Sequence, residues 1–139
     1  MATIGVSMIV RNEEELLSKC LDSIKGIDEI VICDTGSDDK TIEIAKRYTD
    51  KVYTEFKWND SFCDARNFAL SKSTADWVLV LDADETLEPG GLEKLREEIS
   101  KTKKRVLYFK VAAGTSFFYN VRAHKRDPDI IWKEFKYGE

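Results

Sequence analysis

The 139-residue sequence predicts an α/β fold: an open, doubly wound, mostly parallel sheet with helices on both faces and short mixed strands at its C-terminal end. Three observations carry that expectation. Apolar, β-branched runs alternate with amphipathic stretches four times between Thr3 and Ile99. A helix between two strands makes them parallel, with a right-handed crossover. Residues 77–81 are apolar without interruption, as a strand covered on both faces must be. Hydrophobic residues make up 42% of the chain, enough at this length for one core and one domain and too many for disorder.

Residues 3–10, with Ile4, Val6, Ile9 and Val10, read as the first buried strand. Asn12 is a candidate cap for the next helix, whose apolar positions Leu16, Leu17, Cys20, Leu21 and Ile24 share one face. Gly26 ends it. Residues 29–33 form the second strand. After the turn Asp34-Thr35-Gly36-Ser37, either Ser37 or Asp38 caps a helix with Ile42, Ala45 and Tyr48 inward. Residues 51–56 are a third, weaker strand. Asp60 or Ser61 starts a third helix carrying Phe62, Ala65 and Ala69, and residues 77–81 follow as the fourth strand. Glu88-Pro89-Gly90 opens a fourth helix with an inward stripe of Leu92, Leu95 and Ile99. Beyond about Arg105 helices give way to strands, at 105–112, 116–122 and 129–133, the later ones antiparallel.

Twenty-six acidic against 22 basic residues give a formal charge of −4, the wrong sign for a nucleic-acid binder. No stretch approaches the ~20 apolar residues of a transmembrane segment. The N-terminus meets Arg11, Asn12 and three glutamates too early for a secretory signal, so a cytoplasmic protein is expected. Cys20, Cys33 and Cys63, odd in number and without metal-type spacing, read as reduced core thiols. The single histidine, His124, excludes a multi-histidine metal site. No glycine-flanked serine accompanies it for a hydrolase triad.

In an open α/β sheet the ligand crevice lies beyond the carboxyl ends of the strands. The first strand ends in Arg11-Asn12-Glu13, the second in Asp34-Thr35-Gly36-Ser37 and the fourth in Asp82-Ala83-Asp84-Glu85. Asp82 and Asp84, two apart in an extended chain, point to one side. Carboxylates so placed repel unless a hard divalent cation bridges them, its other positions left to water and phosphate. Such an ion stabilises a diphosphate leaving group. Gly36 lets the backbone approach a flat ligand, and Asp34 can accept a hydrogen bond from a base N–H. Arg66, beside Asn67, offers a fork matched to phosphate oxygens. Trp58 and Trp132 can stack on a sugar or base, or serve as buried anchors. The bland readings are a solvated capping turn at Asp82 and Asp84, a plain turn at Asp34 and a surface arginine at position 66. A calcium-loop reading of Asp82, Asp84, Thr86 and Glu93 fails because Leu87 stands where glycine is required.

Taken in order, Val6-Ser7-Met8-Ile9-Val10-Arg11-Asn12-Glu13, Asp34-Thr35-Gly36-Ser37-Asp38-Asp39, Ala65-Arg66-Asn67 and Leu81-Asp82-Ala83-Asp84-Glu85 resemble family 2 glycosyltransferases of the GT-A fold. The nearest look is to the subgroup that includes lipopolysaccharide-core β-glucosyltransferases. The resemblance is dense over about residues 4–87 and continues through Val121-Arg122 and Asp127-Pro128-Asp129-Ile130-Ile131-Trp132. It implies an inverting, hexosyltransferase-like enzyme that uses Mg²⁺ or Mn²⁺. The donor is a nucleotide-diphosphate sugar, a UDP-sugar first among them. The acceptor is a hydroxyl on an unknown glycan, lipid-linked or protein molecule. The resemblance further implies that Val10, Arg11 and Asn12 line the nucleotide pocket and that Asp34 contacts the base, with Gly36, Arg66 and Ala83 also on the donor. Asp84, with Asp82, would serve ribose, metal and diphosphate. Thr35 stands where many members carry a second acid, which leaves the base open. The His-Glu pair that often follows the tryptophan strand is absent. Inversion needs a carboxylate to take the acceptor proton. The candidates are Glu139, Asp127 and Asp129.

Enzymes of this type are usually longer, so residues 1–104 are expected to be the donor-binding part and 105–139 a partial acceptor side. An apolar edge near Phe117, Phe118 and Tyr119 suits cover by a second copy, a homodimer. Three other readings compete. A receiver-type phosphoacceptor domain needs an acidic pair after strand one and a lone aspartate after strand three, where this chain has Arg11-Asn12 and Lys57-Trp58. A nucleotidyltransferase usually carries a Gly-rich loop where residues 11–15 stand. A non-catalytic or partner-dependent nucleotide-sugar-binding module keeps the donor half and is the main alternative.

Overall fold

A computed structural model gives the fold; it describes residues 2–113 and 116–133, those at 110, 111, 113 and 116–121 by backbone alone. The strand–helix units form in order: β1 (Ile4–Val10), α1 (Leu17–Asp22), β2 (Glu29–Asp34), α2 (Thr41–Lys46), β3 (Val52–Tyr53), α3 (Phe62–Ser71) and β4 (Trp77–Val80). They are followed by β5 (Glu85–Thr86), α4 (Gly91–Lys101), β6 (Val106–Ala113) and β7 (Ser116–Lys125). The sheet order is β3-β2-β1-β4-β7-β6-β5. β1 pairs parallel with β2 and β4, and β2 with β3. β4–β7, β7–β6 and β6–β5 are antiparallel. The α/β expectation holds, and the aromatic C-terminal strands add to the same sheet.

The chain steps outward from β1 to β3, then returns to the other side of β1. Right-handed crossovers therefore place α1 and α2 on one face and α3 on the opposite one. The packing agrees. Ile4, Val6, Met8 and Val10 of β1 share a buried core with Leu17, Cys20 and Leu21 of α1, Ile44 of α2 and the α4 stripe Leu92, Leu95 and Ile99. The buried Ala65 and Ala69 let α3 lie close on the other side, against β1 and β2. The reversal opens a crevice between the carboxyl ends of β1 and β4.

Several local expectations are corrected. Asn12 does not cap α1; it sits at φ 52° and its Oδ1 accepts the Asp38 N–H at 2.8 Å. Neither Ser37 nor Asp38 caps α2; the Asp39 carboxylate accepts the Thr41 N–H at 2.9 Å. Ser61 does cap α3, accepting the Asp64 N–H at 3.1 Å. β3 shrinks to two residues, Val52 and Tyr53, in register with Ile32 and Cys33 of β2. Residues 129–133 form no strand. The Asn67 side chain takes the partner's place, accepting the Trp132 N–H and donating to its carbonyl, both at 2.8 Å. Cys20 and Cys33 are buried, but Cys63 is only half-buried. Among the described residues no helix is long and apolar enough to cross a membrane. The side chains of Phe117, Phe118 and Tyr119, and with them the expected dimer edge, lie outside the described residues.

Candidate functional site

A cleft of about 400 Å³ opens at the chain reversal, lined by Ile9, Val10, Arg11, Glu13, Thr35, Trp58, Phe62, Arg66, Asp82, Ala83 and Asp84. Two loops that contribute to its lining are laced together. The Thr35 N–H donates to the Val10 carbonyl at 3.1 Å, extending the β1–β2 pairing beyond the strands. The Asn12 N–H donates to Ser37 Oγ and the Glu13 N–H to Thr41 Oγ1, each at 2.8 Å.

Asp34 is 2% exposed and does not line the cleft. Its Oδ1 accepts the Gly36 and Ser37 N–H groups at 2.9 and 2.8 Å, and its Oδ2 the Ser37 hydroxyl at 2.6 Å. The carboxylate shapes its own turn, and Thr35 is the turn residue that lines the cavity. Gly36 is required by its φ of 129°, and a Cβ there would meet no other protein atom within 4 Å.

The acidic segment is a tight turn, closed by the Glu85 N–H donating to the Asp82 carbonyl at 2.9 Å. Asp82 and Asp84 both reach the cleft. Asp82 Oδ1 accepts from Arg66 at 2.9 Å, and the Arg66 guanidinium lies 4.8 Å from the centre of the Trp132 ring. Trp132 thus backs the arginine rather than offering a free stacking face. Trp58 remains at the cleft, edge-on to Phe62 at 5.0 Å and donating its indole N–H to Asp60 at 3.0 Å. Phe62 is 65% exposed and adds apolar surface to the cleft.

Sequence reasoning named Glu13 only as part of a strand end, yet it lines the cleft. Burial, then the charges of Asp84, Asp82 and Asp39, push its carboxyl up. Beneath the turn, the Cys20 thiol donates to the Asp82 carbonyl at 3.4 Å. Burial and the nearby acids Glu85, Asp82, Asp84 and Glu13 push that thiol up to about 12, so it stays protonated.

Carboxylate oxygens of Asp82, Asp84 and Glu85 lie within 4.8 Å of one another. Glu85 is occupied by Arg122, which donates to both its oxygens at 2.7 Å. Two hard oxygen donors remain, facing an open cavity, which suits Mg²⁺ or Mn²⁺ sharing its coordination with water and phosphate.

The base candidates do not converge here. β7 runs antiparallel to β4, so residues 126–129 emerge where β4 begins, at the opposite end of the sheet. Asp127 lies in a recess with Asp76 and Trp77 and accepts from Arg105 at 2.8 Å. Asp129 is exposed and donates its N–H to Asp127 at 3.0 Å. Glu139 lies outside the described residues.

The family model described as "Glycosyl transferase family 2" matches residues 6–138. A TPR repeat-containing protein of Synechococcus elongatus is 45% identical over 136 residues, covering 94% of this chain and 33% of its own length. The lipopolysaccharide core biosynthesis glycosyltransferase LpsC of Rhizobium meliloti is 32% identical, over 78% of this chain and 41% of its own length. The chain thus spans well under half of these curated relatives. In fold it matches the crystal structure of glucosyl-3-phosphoglycerate synthase from Mycobacterium tuberculosis in complex with Mg²⁺ and UDP. That match has a TM-score of 0.64 at 23% identity, over 76% of this chain and 42% of that one, and places the architecture among GT-A folds.

Proposed function

This chain belongs to glycosyl transferase family 2, and on that premise we propose that its cleft binds a nucleoside-diphosphate sugar, a UDP-sugar first, for inverting transfer to a hydroxyl acceptor. The observation that carries the reading is the acidic turn facing an open cavity at the sheet's reversal, with Arg66 beside it. The base lies over the turn that Asp34 shapes and Thr35 faces, with Val10 to Asn12 alongside. Asp82 and Asp84 would hold Mg²⁺ or Mn²⁺, which would supply the positive charge that stabilises a diphosphate leaving group. Arg66, kept in place by Trp132 and Asp82, meets the phosphate oxygens. Residues 1–104 serve the donor and the later segment part of the acceptor side. The synthase from M. tuberculosis, crystallised with Mg²⁺ and UDP, supports this choice of ligand and ion.

Thermal unfolding with UDP-, GDP- and dTDP-sugars, with and without Mn²⁺, tests donor binding. A ligand at about 100 times its dissociation constant adds about 2.7 kcal/mol, a rise of several degrees. Asp84→Asn is expected to abolish the Mn²⁺-dependent part and leave the unliganded midpoint in place. A mutant that responds like wild type overturns the metal assignment.

With Asp127 and Asp129 at the opposite end of the sheet, Glu139 is the remaining candidate for the base. Glu139→Gln is expected to lower turnover about 100-fold or more with donor binding unchanged. The same placement of Asp127 and Asp129 favours a second reading, a donor-binding module that works with a partner. Tight, Mn²⁺-dependent UDP binding with no transfer or hydrolysis would select it.

A further inference from the structure

Glu85 follows the acidic turn directly, and its carboxylate lies within reach of those of Asp82 and Asp84. A third carboxylate so close would ordinarily join any cation its neighbours held. Here it is 4% exposed and does not line the cleft. Arg122, itself 5% exposed, grips both of its oxygens at 2.7 Å, and Glu85 Oε1 also accepts the Asp82 N–H at 2.8 Å. Arg122 is placed by an irregularity in the sheet. Ala123 pairs with Leu107 and Val121 with Tyr108, so Arg122 is the extra residue of a β-bulge. Bulges re-aim a side chain, at the expense of regular pairing. Arg122 Nε has no hydrogen-bond partner among the described residues. A buried ion pair with a nitrogen left over is a poor source of stability, so position is the better account of it.

Building on the metal reading above, we infer that Arg122 is a positioning residue that withholds Glu85 from the cation and, through Glu85, anchors the Asp82 backbone. The site then presents two carboxylates instead of three. The positions Glu85 would fill stay open to the diphosphate.

Mn²⁺ binding alone, followed by electron paramagnetic resonance, tests this without catalysis. Arg122→Gln is expected to tighten Mn²⁺ about tenfold, because a positive charge leaves and the freed carboxylate joins the ion. The same variant is expected to bind UDP more weakly in the presence of Mn²⁺. The charge-neutral double variant Glu85→Gln/Arg122→Gln is expected to hold Mn²⁺ within about threefold of wild type, and it carries the test if the single variant does not fold. Unchanged or weaker Mn²⁺ binding in a folded Arg122→Gln protein overturns the inference. So does a double variant that loses Mn²⁺ as completely as Asp84→Asn, since Glu85 would then be a ligand. If Asp84→Asn itself binds Mn²⁺ like wild type, the metal reading fails, and the inference with it.

Discussion

Glu29 shows how one side chain ties distant segments together. Burial alone pushes its carboxyl up. Hydrogen bonds from Lys51, from the Thr74 hydroxyl and from the Thr74 and Ala75 N–H groups outweigh it and hold the pKa at about 2, against an ordinary 4.5. Its side chain is 7% exposed and lies 2.6 Å from Lys51 Nζ. The folded-state pKa is the lower one. The contribution is therefore complete above about pH 5 and is lost as pH falls through 4.5 toward 2, on the order of 3 kcal/mol in all. Urea unfolding at pH 7 and pH 3 checks this: wild type should lose more stability on acidification than Glu29→Gln. Equal losses would show that the acid limb has another origin. Asp34 is the local counterpart, a buried carboxylate that braces its own turn through the Gly36 N–H and the Ser37 hydroxyl.

Elements obeyed the sequence where their signals were local and departed from it where a neighbour competed. Ser61 caps α3 as its type and position predict. Ser61→Ala should cost about 1 kcal/mol in equilibrium unfolding. Because α3 carries Arg66 into the cleft, the same substitution should also weaken donor binding modestly. A loss confined to stability would mean that the helix start does not set the arginine. At the other caps the expected residues were drawn into loop-to-loop bonds. Asn12 reaches the Asp38 N–H, which stitches the ends of β1 and β2 together and leaves α1 to begin without a side-chain cap. The segment at 129–133 has the apolar, β-branched look of a strand, but the Asn67 amide satisfies Trp132 first and holds that segment against α3.

At the scale of the whole molecule, stability and binding occupy different places. The core fills one face of the sheet, whereas the cleft sits beyond the strand ends. Leu79, fully buried in the central β4, should cost 2–5 kcal/mol when replaced by Ala. The dissociation constant for UDP and Mn²⁺ should move little, because the acidic turn is fixed by Glu85 and Arg66 rather than by that side chain. A parallel collapse of affinity would show that the core and the site are coupled. The alternation of apolar runs and helical stripes by itself determined the parallel half of the sheet and the polar strand ends that meet at its rim, because hydrophobic period and crossover handedness are properties of short segments. It also supplied the acidic pair and Arg66 as cleft residues. Only the tertiary structure decided that Asp127 and Asp129 leave at the opposite end of the sheet and that Glu85 is taken by Arg122. Each of those outcomes depends on which partner, distant in sequence, arrives within hydrogen-bonding reach, and on strand direction in β7, which no local pattern encodes.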